Sequence, residues 1–186
     1  MSGAIEFDVR PAANDRDLRG ILALQAANLP DAITADELAS QGFVTLRHDL
    51  ALLREMSDPH PHIIATPRGS NEVVAYALVM HEFRARFPVL EPMYRQLQGL
   101  TLGGRPIESF RSYFMGQLCV AKAHRGRGVV EGLYAEHREQ MAPHFDLMIT
   151  VIDRANPRSV RVHERCACEP PHEHRTDHGR EWVIVG

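Results

Sequence analysis

Lysine is nearly absent: Lys122 is the only one in 186 residues, so the basic charge is carried by twenty arginines. The chain has no excess of positive charge either, with 21 Lys and Arg against 24 Asp and Glu, a formal net charge of -3 and a pI near 6.4. That balance excludes a protein whose main partner is a nucleic-acid backbone, because such binding needs a dense cationic surface. Cysteine is scarce and odd in number; Cys119, Cys166 and Cys168 make a poor disulfide framework and suit a reducing compartment, with the cytoplasm as the default. No uninterrupted apolar run approaches the ~18 residues of a membrane span, and Glu6, Asp8 and Arg10 break up the amino-terminal stretch where a signal peptide would need its apolar core. No internal repeat or low-complexity block is present. The remainder has the composition of an ordinary globular protein, 44% hydrophobic and 24% charged, and its length fits one domain over residues 1–186.

The periodicities predict a mixed α/β order. Ile5, Phe7 and Val9 alternate with charged residues before Pro11, the mark of a half-buried strand. Asn14 or Asp15 can cap a helix carrying Leu18, Ile21, Leu22 and Leu24, and a second helix is expected over His48–Met56. Strands at His62–Thr66 and Val73–Met80 flank a Gly-containing turn. Residues Phe83–Arg111 read as a loop-and-helix excursion, with a short helix near Glu91–Gln98. Tyr113–Val120 is apolar enough for a central strand covered on both faces. A helix over Val129–Met141, a strand over Phe145–Ile152, a helix over Pro157–Arg165 and a hairpin of His172–Thr176 with Glu181–Val185 follow.

The segment Val120–Tyr134 holds the clearest chemistry, a buried strand passing through Lys-Ala-His-Arg-Gly-Arg-Gly into an amphipathic helix. The first turn of a helix exposes unpaired N–H groups and a partial positive charge, which suits phosphate. Gly126 and Gly128 remove the Cβ atoms that would hold an anion away, and Arg125 and Arg127 offer charge-assisted donors. The spacing is neither a dinucleotide fingerprint, since the sixth position from Gly126 is Glu131, nor a Walker loop.

Arg125-Gly-Arg-Gly-Val-Val130 following Gln117-Leu-Cys-Val120 resembles the acyl-CoA signature [Q/R]-x-x-G-x-[G/A] of the GNAT N-acetyltransferase superfamily. Downstream, Asn156, Ser159, Val162, His163, Glu164 and Arg165 stand in register with that family's N-x-x-[S/A]-x-x-L-[Y/H]-E-[K/R] helix. The resemblance implies a mostly antiparallel central sheet of about seven strands with helices on both faces. It also implies acetyl-CoA as cosubstrate and transfer of an acetyl group to a primary amine of a small molecule or peptide. Leu118, Cys119 and Val120 would lie along the pantetheine arm, and the amides of Arg125, Gly126, Arg127, Gly128, Val129 and Val130 would meet the pyrophosphate. Asn156 and Ser159 would lie at the cofactor, and His163, where many members carry tyrosine, would be the general acid for the departing thiolate. No metal, nucleic acid or membrane is expected to take part; a homodimer is left open.

The chain departs from the pattern at Gln117, where members often carry glutamate and where an amide cannot act as a base. It departs again at Val130 and at Ala167-Cys168. These changes leave the base to His81, Glu82 or a water wire, and motivate the alternative of a non-catalytic acyl-CoA sensor or scaffold. The excursion and the first helices are expected to line the acceptor side, with Glu82 and Glu91 as candidates there. Cys166, Cys168, His172, His174 and His178 lack the usual zinc spacing. Cys119 reads as an inert buried thiol, and His48, His60 and His62 read as surface residues.

Overall fold

The structure, a computed structural model, describes residues 6–34, 36, 44, 46–81, 91–153, 156–166, 172–175 and 181–185. In chain order these form β1 (Phe7–Pro11), α1 (Asp15–Ala26), α2 (Leu50–Met56), β2 (Ile63–Pro67), β3 (Ala75–Met80), α3 (Glu91–Leu97) and the short strands β4 (Thr101–Leu102) and β5 (Arg105–Pro106). After them come β6 (Ser112–Val120), α4 (Val129–Met141), β7 (Leu147–Asp153), α5 (Pro157–Cys166), β8 (His172–Arg175) and β9 (Glu181–Val185). Seven strands make one sheet in the order β1-β2-β3-β6-β7-β9-β8, and β4 pairs only with β5. Every adjacent pair in the large sheet is antiparallel except β6–β7. The mixed, mostly antiparallel sheet expected from the motifs is the one observed.

Alternation along the strands sends apolar side chains to both faces, so the sheet needs a cover on each. Leu18, Ile21 and Leu24 of α1 and Leu53 and Met56 of α2 pack on one face against Ile64, Tyr76, Leu78 and Met80. Val129 and Leu133 of α4 cover the other, against Ile63, Ala65, Ala75, Ala77 and Met115. The cap of α1 is Asn14, whose side chain accepts from Arg16 N (2.9 Å) and Asp17 N (3.2 Å). Asp17 itself is buried and holds Arg10 through two hydrogen bonds of 2.7 and 3.0 Å, with a third from Ala13 N at 2.9 Å. This pair ties β1 to α1.

Two irregularities shape the middle of the sheet. Between β3 and β6 the register moves from Ala77 opposite Leu118 to Val79 opposite Met115, so one residue of β3 faces two of β6, Gly116 and Gln117. A Cβ at 116 would stand 2.1 Å from Met80 Sδ, so any larger residue there would force the buried Met80 side chain to move. The bulge frees backbone groups, and two buried imidazoles take them up. Val79 N–H donates to His62 Nδ1 (3.1 Å) while His62 Nε2 donates to Leu53 O (3.1 Å). On the other side of the strand His137 Nε2 donates to Ala77 O at 3.3 Å. His62 is therefore a fully buried structural residue and not the surface histidine expected from His60-Pro61-His62. His48, also expected at the surface, is only partly exposed and hydrogen-bonded.

The second irregularity is the parallel ladder, which runs only from Ser112 opposite Leu147 to Phe114 opposite Ile149. Past that point β7 pairs with β9 on its other side, from Thr150 opposite Val185 to Asp153 opposite Trp182. Thr150 Oγ1 still donates to Met115 O at 3.1 Å, and from there to Val120 the β6–β7 register has ended.

Candidate functional site

A cavity of about 430 Å³ lies along β6 beyond the end of its ladder with β7. Leu118, Cys119 and Val120 line it from β6, residues His124–Gly128 except Arg127 line it from the loop, and Val129, Val130 and Glu131 line it from the first turn of α4. Asn156 and one side of α5, including Ser159, Val162 and His163, form the opposite wall. The structure thus brings together ten of the eleven residues expected at the cofactor, together with His163. Arg127 is the exception: it is exposed and stands outside the lining.

The loop owes its path to glycine. Gly126 (φ +72°) and Gly128 (φ +76°) occupy the left-handed region, where a Cβ is strained, and nothing lies within 4 Å of where either Cβ would be. Gly128 is the N-cap of α4 and, having no side chain, supplies no capping acceptor to the amides of the first turn. Those N–H groups and the positive end of a 13-residue helix border an open, solvent-facing space. Arg125 is not directed at an anion as expected. Its Nε donates to Val120 O (3.0 Å) and its NH2 to Asn28 Oδ1 (2.9 Å), so it staples the loop to β6 and to the turn after α1.

Asn156 is buried and its Oδ1 accepts from Ser159 N at 3.2 Å, which makes it the cap of α5. His163 is 4% exposed, and its Nδ1 lies 2.8 Å from Ser159 O. A carbonyl can only accept, so Nδ1 carries the proton and Nε2 is left with a lone pair. Burial lowers the His163 pKa below the ordinary histidine value, despite the hydrogen bond to Ser159, so the ring rests neutral. Cys119 has its thiol pushed up to about 12 by burial, in line with an inert residue.

Gln117 is one of the two bulge residues of β6, with both ends of its amide engaged. Oε1 accepts from Tyr76 O–H (2.6 Å) and Gln25 Nε2 (2.8 Å), and Nε2 donates to Leu46 O (3.2 Å). Gln25 is oriented in turn by His48, whose backbone N–H donates to its Oε1 (2.8 Å) and whose Nδ1 accepts from its Nε2 (2.8 Å). The backbone groups at the two ends set the orientation of both amides. Burial pushes His48 down to about 4. No proton acceptor is free at Gln117.

Of the remaining candidates, His81 is half-buried and packs against His60 and Phe145, with ring centroids 5.7 and 5.1 Å apart. Glu82, Cys168 and His178 lie outside the described residues, as do the side chains of His172 and His174. Among the described residues no group of His, Cys, Asp and Glu could hold a metal ion, and no helix is long and apolar enough to cross a membrane. Asn28 and Val44 were missed as cavity residues, having no motif to mark them. Arg158, Arg161 and Arg165 fell within a recognised helix pattern but had no role assigned.

No family model and no curated protein matches the chain by sequence. Solved structures do. A chain of the NatC complex, determined with Gag peptide and CoA, superimposes with a TM-score of 0.63 at 13% identity, covering 97% of this chain and 96% of that one. Diaminobutyrate acetyltransferase EctA from Paenibacillus lautus, determined with L-2,4-diaminobutyric acid and coenzyme A, gives 0.60 at 16% identity over 98% and 95%. The ribosomal-protein-S18-alanine N-acetyltransferase from Escherichia coli gives 0.59 at 10% identity over 97% and 92%. The fold of this chain is the fold of the GNAT N-acetyltransferases.

Proposed function

We propose that this chain, built on the GNAT fold, is an acetyl-CoA-dependent N-acyltransferase that moves an acetyl group to a primary amine of a small molecule or peptide. The observation that carries the reading is the cavity where the β6–β7 ladder ends, bordered by two left-handed glycines and the uncapped first turn of α4. The residues fit such a ligand. Open space stands where Cβ atoms at 126 and 128 would project, next to N–H donors suited to a diphosphate. The edge of β6 over Leu118–Val120, beyond the β6–β7 ladder, suits the amides of a pantetheine arm. The CoA complexes of NatC and EctA, and of NAA60 from Arabidopsis thaliana with acetyl-CoA, are consistent with it.

Bound there, a thioester supplies an activated carbonyl for a neutral amine to attack. The protein must then accept a proton from nitrogen and return one to sulfur. His163 suits both halves. With Nδ1–H held by Ser159 O, Nε2 is the ring atom left to take the amine proton, and the resulting imidazolium, disfavoured by burial, is a ready donor to the departing thiolate. The expected role as general acid is thereby refined: the neutral ring must first be charged. Gln117 holds the end of β6 in place through Tyr76, Gln25 and Leu46 and takes no proton.

A second reading, a sensor or scaffold that binds the thioester without turnover, is favoured by that same locked amide in place of a carboxylate. Calorimetry with acetyl-CoA followed by a thiol-release assay over amino acids, polyamines, aminoglycosides and peptides separates the two. Binding with thiol release on at least one amine supports the transferase. Binding with none supports the sensor, and absence of binding overturns both.

A further inference from the structure

Gln117, Gln25 and His48 form a polar group on the α1 side of the sheet, across β6 from α4. The cavity lining along β6 ends inward at Leu118, so Gln117 is the next residue of the strand beyond it, and Val44 lines the cavity from the α1 side. The hydrogen bonds of this group fix the tautomer of His48. Its backbone N–H donates to Gln25 Oε1, so the atom that Gln25 turns toward Nδ1 is its NH2, and Nδ1 can only accept. A neutral imidazole then carries its one proton on Nε2, which is a donor without a lone pair. Burial holds the His48 pKa down to about 4, which keeps the ring neutral at the pH where amines are acylated. Nε2, on the outer edge of this half-buried ring, makes no hydrogen bond among the described residues and is open to solvent. His48 therefore presents an N–H of fixed sense, separated from Gln117 by two hydrogen bonds of 2.8 Å through Gln25. It cannot serve as a base, but it can donate to an oxygen.

We infer that His48 Nε2–H selects the acceptor, favouring amines that carry a carbonyl or carboxylate oxygen within a few bonds of nitrogen, as amino acids and peptide amino termini do. This rests on the transferase reading and names the acceptor class of that same site. A thioester drawn along β6 from the glycine loop brings its carbonyl toward Gln117, where the lining ends. An amine attacking there lies beside Gln117, with its substituents in reach of His48. An oxygen set against Nε2 replaces the water that the donor gives up. An alkyl group in the same place strips that water and leaves the N–H unpaired, which is how a polar site rejects an analogue that lacks the matching group.

The experiment measures thiol release from saturating acetyl-CoA with alaninamide and with 1,2-dimethylpropylamine, in which an isopropyl group replaces the carboxamide. Values of kcat/KM are compared at equal concentrations of the neutral amine, for the wild type, H48F and H48Q. The wild type is expected to favour alaninamide about tenfold or more, although the alkylamine is the stronger nucleophile. H48F is expected to bring the ratio below about two, and H48Q, which offers an N–H close to the place of Nε2, to restore most of it. A purely structural role for His48 would slow both amines alike and leave the ratio as it was. A wild type that turns over the two amines equally, turnover confined to amines without a carbonyl, or a ratio that H48F leaves unchanged overturns the assignment and leaves the transferase reading standing. No thiol release with any amine of the wider panel overturns the transferase reading, and the assignment with it. Should H48F and H48Q fail to fold by circular dichroism, the wild-type ratio decides alone.

Discussion

Acid should unfold this protein well before its carboxylates titrate, because its bulge is held by neutral imidazoles. His62 and His137 both have their pKa pushed down from 6.5 to about 4 by burial. Below pH 6.5 the unfolded chain binds a proton at each site that the folded chain refuses, so stability falls with falling pH and the loss is complete near pH 4. A gap of about 2.5 pH units at ~1.4 kcal/mol per unit makes roughly 3 kcal/mol per histidine, or ~7 kcal/mol for the pair. That is comparable to the whole stability of a typical domain, about 5–15 kcal/mol. Geometry agrees with the sign: a proton added at His62 Nδ1 would point at the Val79 N–H that now donates to it. Urea denaturation followed by far-UV circular dichroism at several pH values between 7.5 and 4.5 reads the slope. About 2 kcal/mol per pH unit is expected between pH 6 and 4.5 from these two sites, and more with His48, which is shifted the same way. H137Q keeps a donor for Ala77 O and removes one titrating group, so it should cut the slope by about half, roughly 1 kcal/mol per unit. A wild-type stability that is flat over this range, or a slope that H137Q leaves untouched, would refute the reasoning.

G116A forces a methyl group onto Met80 Sδ inside the bulge and should cost about 1–3 kcal/mol, read as a lowered Tm; an unchanged Tm would mean that the Met80 side chain repacks freely. G128D puts a carboxylate and a strained φ where a diphosphate is proposed to sit, and should weaken acetyl-CoA binding about a hundredfold or more by calorimetry, whereas retained affinity would remove α4 from the site. H163F should lower kcat at least about tenfold while leaving the Kd for acetyl-CoA within a few-fold; an unchanged kcat would take His163 out of proton transfer.

Features written in local pattern were legible in the sequence. Asn14 or Asp15 ahead of Leu18, Ile21 and Leu24 announced α1, whose cap is Asn14, and Val129–Met141 was bounded to the residue because a glycine and a proline punctuate it. The loop glycines and Asn156 came from motifs that are contiguous in the chain. What escaped depends on contacts between distant residues. Gln25 and Gln117 are 92 positions apart, and nothing local distinguishes two bonded amides from two solvated ones. His62 was misjudged because its neighbours in sequence, His60 and Pro61, are loop-like, while its burial is set by the backbone groups of Leu53 and Val79. Arg125 and Arg127 look equivalent on paper; the positive φ of Gly126 between them sends one inward to Asn28 and leaves the other in solvent.

The brevity of the β6–β7 ladder has a mechanical consequence. With three paired positions and one threonine hydroxyl joining them along the backbone, the sheet is two leaves, β1-β2-β3-β6 and β7-β9-β8, hinged at Phe114 and Ile149. Whatever occupies the cavity touches β6 of one leaf and α5, the helix that follows β7 of the other. Occupancy should therefore slow amide hydrogen exchange on either side of the seam together, so that the protein stiffens as a unit when its slot is filled.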